Sequence, residues 1–171
     1  MVISKEQEIE NIRKVAYLLR DNARITTEEI AQQTKLTRQT VSKIIRNLEK
    51  TNAIWGYSTF FDPEKIGLRI FIILAKSKRN IDIELIKKSI RETTKTQEKI
   101  GVIHAGYFTG HYDLIILYYA ESVSRATKVM NIWKKQLDFV LEDVVLQQEL
   151  FPITQGGVRN PDLIKKIDDV F

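Results

Sequence analysis

The chain has 171 residues, 43% of them hydrophobic, which is enough to bury a core in one domain or two small ones and too apolar for a disordered tail. It contains no cysteine, which excludes disulfides and thiolate metal sites. The formal net charge is +5, with +3 in residues 1–50 and +2 in the remaining 121, a mild bias toward an anionic partner. The longest apolar run, Ile70 to Ala75, suits a strand and falls far short of a membrane span. The charged start Lys5-Glu6-Gln7-Glu8 carries no signal-peptide core, so a soluble cytoplasmic protein without membrane association is expected.

Residues 6–20 predict a first helix, with Ile9, Ile12, Val15, Ala16 and Leu19 on one face. Asp21-Asn22-Ala23-Arg24 is a polar connection. Thr26 followed by Glu29 has the form of a capping box and opens a second helix whose buried contact is Ile30-Ala31. Thr34-Lys35-Leu36 leaves room only for a tight turn, and Lys35 stands where Gly or Asn would adopt a left-handed backbone more cheaply. A third helix begins after Thr37, its expected N-cap. Val41, Ile44, Ile45 and Leu48 form its buried stripe, and Arg38, Gln39, Ser42, Lys43 and Arg46 project elsewhere.

Three helices with a three-residue turn between the last two describe a helix-turn-helix unit. In that geometry the last helix enters the DNA major groove and its early residues meet the bases. Arg and Lys reach phosphates or guanine edges, and Gln pairs bidentately with adenine. Arg38, Gln39, Ser42 and Lys43 are therefore the candidate base-facing residues, with Thr37, Thr40 and Arg46 as phosphate anchors. The bland alternative is an ordinary surface helix on a basic protein.

From Ile54 the periodicity changes. Ile54 to Phe61, rich in aromatic and β-branched residues, predicts a strand that Asp62-Pro63 ends, and a hinge follows. The second half reads as six elements. Arg69 to Ser77 is a buried strand; Asn80 or Asp82 caps a helix bearing Ile83, Ile86 and Ile90. Lys99 to Phe108 is a strand, Thr109-Gly110-His111 a turn, and Tyr112 to Ala120 a strand. Ser122 or Ser124 caps a helix with Ala126, Val129, Met130, Trp133 and Leu137 in register, and Val140 to Phe151 closes as a strand.

The order β-α-β-β-α-β is ferredoxin-like, with helices on one face of an antiparallel sheet. The other face looks apolar (Phe71 or Ile72, Tyr107 or Phe108, Tyr118 or Tyr119), which predicts a homodimer packed through the sheets and leaves higher oligomers open. Pro152, Gly156-Gly157 and Asn160-Pro161 interrupt the end of the chain. A short amphipathic helix follows, capped by Asp162, with Leu163, Ile164, Ile167 and Phe171 on one side. Docking on its own domain, docking on a neighbouring subunit, and a frayed tail are the alternatives for it.

The expected fold class is α+β, a helix-turn-helix domain over 1–53 followed by a ferredoxin-like regulatory domain over 69–152. Residues 54–68 would be the linking strand and hinge, and 153–171 a C-terminal extension.

This succession resembles the Lrp/AsnC (feast/famine) family of transcription regulators. The residues carrying the resemblance are Thr37 to Glu49 as recognition helix, Ile54-Trp55-Gly56-Tyr57 with Asp62 to Leu68 as linking segment, and Thr109-Gly110-His111-Tyr112-Asp113-Leu114 as the turn of the regulatory half. The match covers roughly residues 5–152. It implies dimers, often assembled into octamers, that bind operator DNA through paired helix-turn-helix units. It also implies small effectors, often amino acids, held near Gly110, His111, Tyr112 and Asp113. The C-terminal extension is not part of the minimal family pattern.

Catalysis finds no support. The two histidines, His104 and His111, lie without a carboxylate constellation, and Gly101, Gly106 and Gly110 form no phosphate loop. No cofactor or metal is expected, and the protein is not read as an enzyme. Asp113 is the residue to watch, because a carboxylate entering an apolar strand must be hydrogen-bonded or paired. It either accepts backbone amides across the turn or binds the ammonium of an amino acid. Other readings of the whole are a metabolite-sensing protein with the helical half as an assembly module, and an architectural DNA-binding protein without sequence preference.

Overall fold

A computed structural model describes residues 4–78, 82–97 and 101–171, with the side chains of 89 and 92–97 left aside. Asn80, one of the two caps expected after the first strand, and Lys99, the expected start of the second, lie outside the described residues. The chain forms two compact units. One comprises the chain up to Phe61 together with Pro152–Asp169 and Phe171; the other comprises Asp62–Phe151 and Val170.

In the first unit, α1 (Lys5–Asp21), α2 (Thr27–Thr34) and α3 (Arg38–Lys50) pack around Val15, Leu19, Ile30, Ala31 and Val41. Each helix starts on a side-chain cap: Ser4 accepts from the Gln7 amide, Thr26 from Glu29, and Thr37 from Thr40. The capping box is complete, because the Glu29 carboxylate also accepts the Thr26 amide at 2.8 Å. Those bonds, from the Thr26 backbone first and its hydroxyl second, hold the Glu29 carboxyl below its ordinary range. Lys35 does adopt the left-handed conformation the short turn demands, at φ 59°. One residue of the expected α1 stripe is displaced: Ile9 is exposed, and Asn11 is buried in its neighbourhood, bonded by Gln7.

The expected strand over 54–61 does not form in this chain. Ile54 is tied to Leu48 by its amide, and the following residues run on without regular structure. A strand needs a neighbour to fill its N–H and C=O groups, and among the described residues no strand pairs with this segment.

The last residues of this unit are a hairpin and a helix. Strands β5 (Thr154–Gln155) and β6 (Val158–Arg159) pair across Gly156 and Gly157, whose φ values of 53° and 92° suit a two-residue turn. The hairpin packs on the helical part: the Phe60 ring lies so close over Gly156 that a Cβ there would overlap it. A Cβ on Gly157 would stand 2.7 Å from Asp21 Oδ1 and 2.8 Å from Arg20 Nε. Helix α6 (Leu163–Val170) follows. Asp162 makes no side-chain cap to it, contrary to expectation. Asn160 takes the turn instead, accepting the Asp162 amide at 2.9 Å while its own amide group donates to the Pro152 carbonyl at 2.8 Å. Only Leu163 of the α6 apolar face is buried; Ile164, Ile167 and Phe171 are exposed.

The second unit is the expected ferredoxin-like half, an N-terminal helix-turn-helix being followed by a four-stranded antiparallel sheet with helices. A 3-10 turn over Pro63–Ile66, capped by Asp62, leads through Gly67 at φ 74° into β1 (Arg69–Ser77). The further elements are α4 (Ile83–Gln97), β2 (Val102–Tyr107), β3 (Leu114–Ala120), α5 (Val123–Gln136) and β4 (Leu141–Gln148). The sheet order is β2-β3-β1-β4. Asp82 accepts the Glu84 amide and so opens α4, and Ser122 caps α5.

Alternation sorts the strands cleanly. Phe71, Ile73, Ala75, Leu114, Ile116 and Tyr118 form the core with Ala126, Val129, Trp133 and Leu137 of α5 and the loop after it. The Tyr118 hydroxyl donates to the Ala126 carbonyl, and burial pushes its pKa to about 12. Ile72, Leu74, Ile115, Leu117, Tyr119 and Val145 therefore lie on the opposite face, all half-buried. The open pairs of the expectation resolve to Ile72 and Tyr119, whereas Tyr107 pairs with Leu114 on the helix side. Helix α4 packs on α5 with Ile86 half-buried, but Ile83 and Ile90 remain exposed. Among the described residues no helix is long and apolar enough to cross a membrane.

Candidate nucleic-acid interface

Helix α3 is held by its apolar stripe and offers the rest to solvent. Val41 and Leu48 are buried, Ile44 and Ile45 are half-buried against the same core, and Arg38, Gln39, Lys43 and Arg46 are exposed. Thr37 sits at the N-cap, accepting the Thr40 amide at 3.1 Å, and the two threonine hydroxyls share a bond of 2.9 Å. Ser42 is half-buried; its carbonyl accepts from Arg46 Nε at 3.3 Å, which lays the guanidinium along the helix.

A shallow cleft lined by Thr27, Arg38, Gln39, Ser42, Ile45 and Arg46 opens on one side of α3. Thr40, Lys43 and Asn47, with Lys50, line a second groove that α1 closes through Glu8, Asn11 and Ile12. The seven expected DNA-facing residues thus share one helix and its cap, spread over both sides of its exposed ridge. Helix α3 carries no acidic residue in its first turn. Glu28 comes from α2 instead, and its carboxylate forms an ion pair with Arg38. The sequence pattern does not reveal this contact, because the partners stand ten positions apart on different helices.

The expected effector residues lie at the turn between β2 and β3. Asp113 is committed to the fold. Its amide donates to the Ala75 carbonyl at 3.0 Å and its carbonyl accepts the Phe108 amide at 2.7 Å. Its carboxylate Oδ1 accepts both the amide and the hydroxyl of Ser77, at 2.8 and 3.0 Å. The acceptor role therefore runs to the end of the neighbouring strand β1 and not across the turn itself. His111 and Tyr112 rings meet edge-on at 4.8 Å, and a Cβ on Gly110 would find open space but for the Tyr112 carbonyl at 3.8 Å. Among the described residues no group of three or more His, Asp or Glu is placed to hold a metal ion.

Residues 10–54 match the family model described as winged helix-turn-helix DNA-binding. The segment that follows α3, Ile54 to Phe61, forms no strand. The uncharacterized HTH-type transcriptional regulator PH0061 of Pyrococcus horikoshii is 32% identical over 101 residues, 58% of this chain and 63% of that protein. The chain thus matches less than two thirds of that relative's length in sequence. The crystal structure of PH0061 superposes with a TM-score of 0.71 at 20% identity, over 91% of this chain and 97% of the other. Bacillus subtilis LrpC gives a TM-score of 0.60 at 20% identity, over 91% and 99%. The Neisseria meningitidis transcriptional regulator NMB0573, solved as a complex with L-methionine, gives 0.62 at 15%, over 90% and 94%. The chain therefore has the fold of the Lrp/AsnC transcription regulators, and residues 10–54 match the winged helix-turn-helix DNA-binding family.

Proposed function

We propose that this protein is a sequence-specific transcription regulator that binds double-stranded DNA through α3, dimerises through its ferredoxin-like half and responds to a small effector such as an amino acid. The observation that carries the reading is the division of α3. Its apolar stripe is fixed against α1 and α2, while Arg38, Gln39, Lys43 and Arg46 are exposed, Arg38 in a pair with the equally exposed Glu28. Cationic and amide side chains so placed suit phosphates and base edges. Thr37, Thr40 and Ser42 lie on the same ridge, within reach of the backbone that the helix N-terminus would approach.

A second copy is the partner argued for the half-buried face of Ile72, Leu74, Ile115, Leu117 and Tyr119, since an apolar sheet face of this kind is stabilised by a matching one. Such a dimer would prefer half-sites about one helical turn, roughly 34 Å, apart; assembly to an octamer extends the same reading. For the effector, both Ser77 bonds fall on Asp113 Oδ1. The second carboxylate oxygen is the group proposed to meet an ammonium, beside Gly110, His111 and Tyr112. The methionine complex of NMB0573 supports an amino acid as the class of ligand.

The test is a mobility-shift titration against genomic fragments and random duplexes at two salt concentrations. The expected result is retention of a subset of fragments with an affinity that falls steeply with salt, because each phosphate contact releases counterions. Equal affinity for every duplex would replace the reading with an architectural role, and no binding at low salt would overturn it.

A further inference from the structure

The two carboxylates that open α2 are used differently. Glu29 closes the capping box with Thr26, its Oε2 accepting both the Thr26 amide and hydroxyl. Glu28, one residue earlier, contributes nothing to that box and pairs with Arg38 at the first position of α3. Both partners are largely exposed, at 55% and 61% of their side chains, so the pair adds little to the fold. It does set the guanidinium beside Glu28 in this structure. Arg38 lines the cleft together with Gln39, Ser42 and Arg46.

We propose that Glu28 is a positioning residue for DNA recognition: it tethers Arg38 in the cleft and withholds it from the phosphate backbone. This rests on the reading of α3 as the DNA-binding helix. A guanidinium has five N–H donors in a fixed fork. The contact to Glu28 engages one terminal nitrogen, Nη2, and leaves donors for an acceptor pair on a base edge. An untethered arginine on a flexible stem reaches the nearest phosphate on any duplex, and that contact carries no sequence information. Glu28 also presents its own negative charge to an approaching backbone. Tethering therefore costs little on a duplex whose base edge matches Arg38 and costs more on every other duplex.

The experiment compares the full-length protein with Glu28→Gln and Glu28→Asp. Each is titrated against duplexes enriched by the wild-type protein from a random pool and against unselected duplexes, over a series of salt concentrations. Glu28→Gln is expected to bind unselected DNA about three- to tenfold more tightly, with a log-affinity against log-salt slope steeper by about one phosphate contact. Binding to the enriched duplexes should change less, so the ratio of the two affinities falls. Glu28→Asp keeps the charge but shortens the reach, and should lower the ratio too if the tether is what matters. An unchanged ratio in both variants overturns the proposal, as does an equal gain on both classes of DNA, which would reduce Glu28 to a general repulsive charge. Thermal melts of the variants at wild-type temperature confirm that α2 is intact. Failure of the wild-type protein to enrich any duplex would instead overturn the reading of α3.

Discussion

Two polar sites in this chain, the ridge of α3 and the β2–β3 turn, treat their charged groups in opposite ways. On α3 the four long donors are exposed, and Arg38 among them pairs with Glu28, itself an exposed side chain. At the turn, Asp113 has its amide, carbonyl and carboxylate all bonded to β1 or to Phe108, the residue after β2. Charge that the fold leaves unsatisfied is available to a partner, and charge that it consumes first serves architecture. The α3 ridge is therefore proposed as a partner surface on its placement, whereas Asp113 has to be argued as a residue with two duties.

The largest effect that sharpens this contrast comes from Asp113→Ala. It strands the Ser77 amide and hydroxyl beside an apolar strand, and should cost about 3 kcal/mol of folding stability, read by chemical denaturation. Asp113→Asn, which keeps an acceptor, should cost well under half of that. Arg38→Ala should do the reverse. It should weaken binding to enriched duplexes by about 2 kcal/mol while the denaturation midpoint moves by under ~0.5 kcal/mol equivalent. A large loss of stability in Arg38→Ala, or none in Asp113→Ala, would break the comparison.

Lys35→Gly relieves a side chain held at positive φ between α2 and α3, and should stabilise the first unit by about 1 kcal/mol in the same assay. The smallest effect is that of pH on the capping box. The folded-state pKa of Glu29 lies below 4.5, so its contribution is fully present above that value and is lost as pH falls through the lowered one. In Glu29→Gln the acid limb of the stability curve should lose that increment and otherwise keep its shape.

What was legible in the sequence was local or periodic. The Thr26–Glu29 box and the Thr37 cap are set by three-residue spacings, and the α3 stripe by its 3.6-residue period. The sheet and its order followed from strongly apolar strands in a familiar succession. What escaped depends on partners remote in sequence. Ile54 to Phe61 has the composition of a strand, but among the described residues no strand pairs with it. Asp162 looked like the obvious cap, yet Asn160 makes the turn because it bonds both the Asp162 amide and the Pro152 carbonyl. Glu28 carried no local signal, because its partner sits on the next helix. Ile83 and Ile90 share a helical face that α5 only partly covers.

The close approach of Phe60 to Gly156, and of Gly157 to Arg20 and Asp21, means that the helical unit is not a contiguous stretch of polypeptide. During synthesis its three helices emerge first, yet the hairpin that seats on them emerges only after the whole ferredoxin-like half. A fragment cut at Phe61 would therefore keep the three helices but lose the hairpin that lies against the Phe60 ring and beside Arg20 and Asp21.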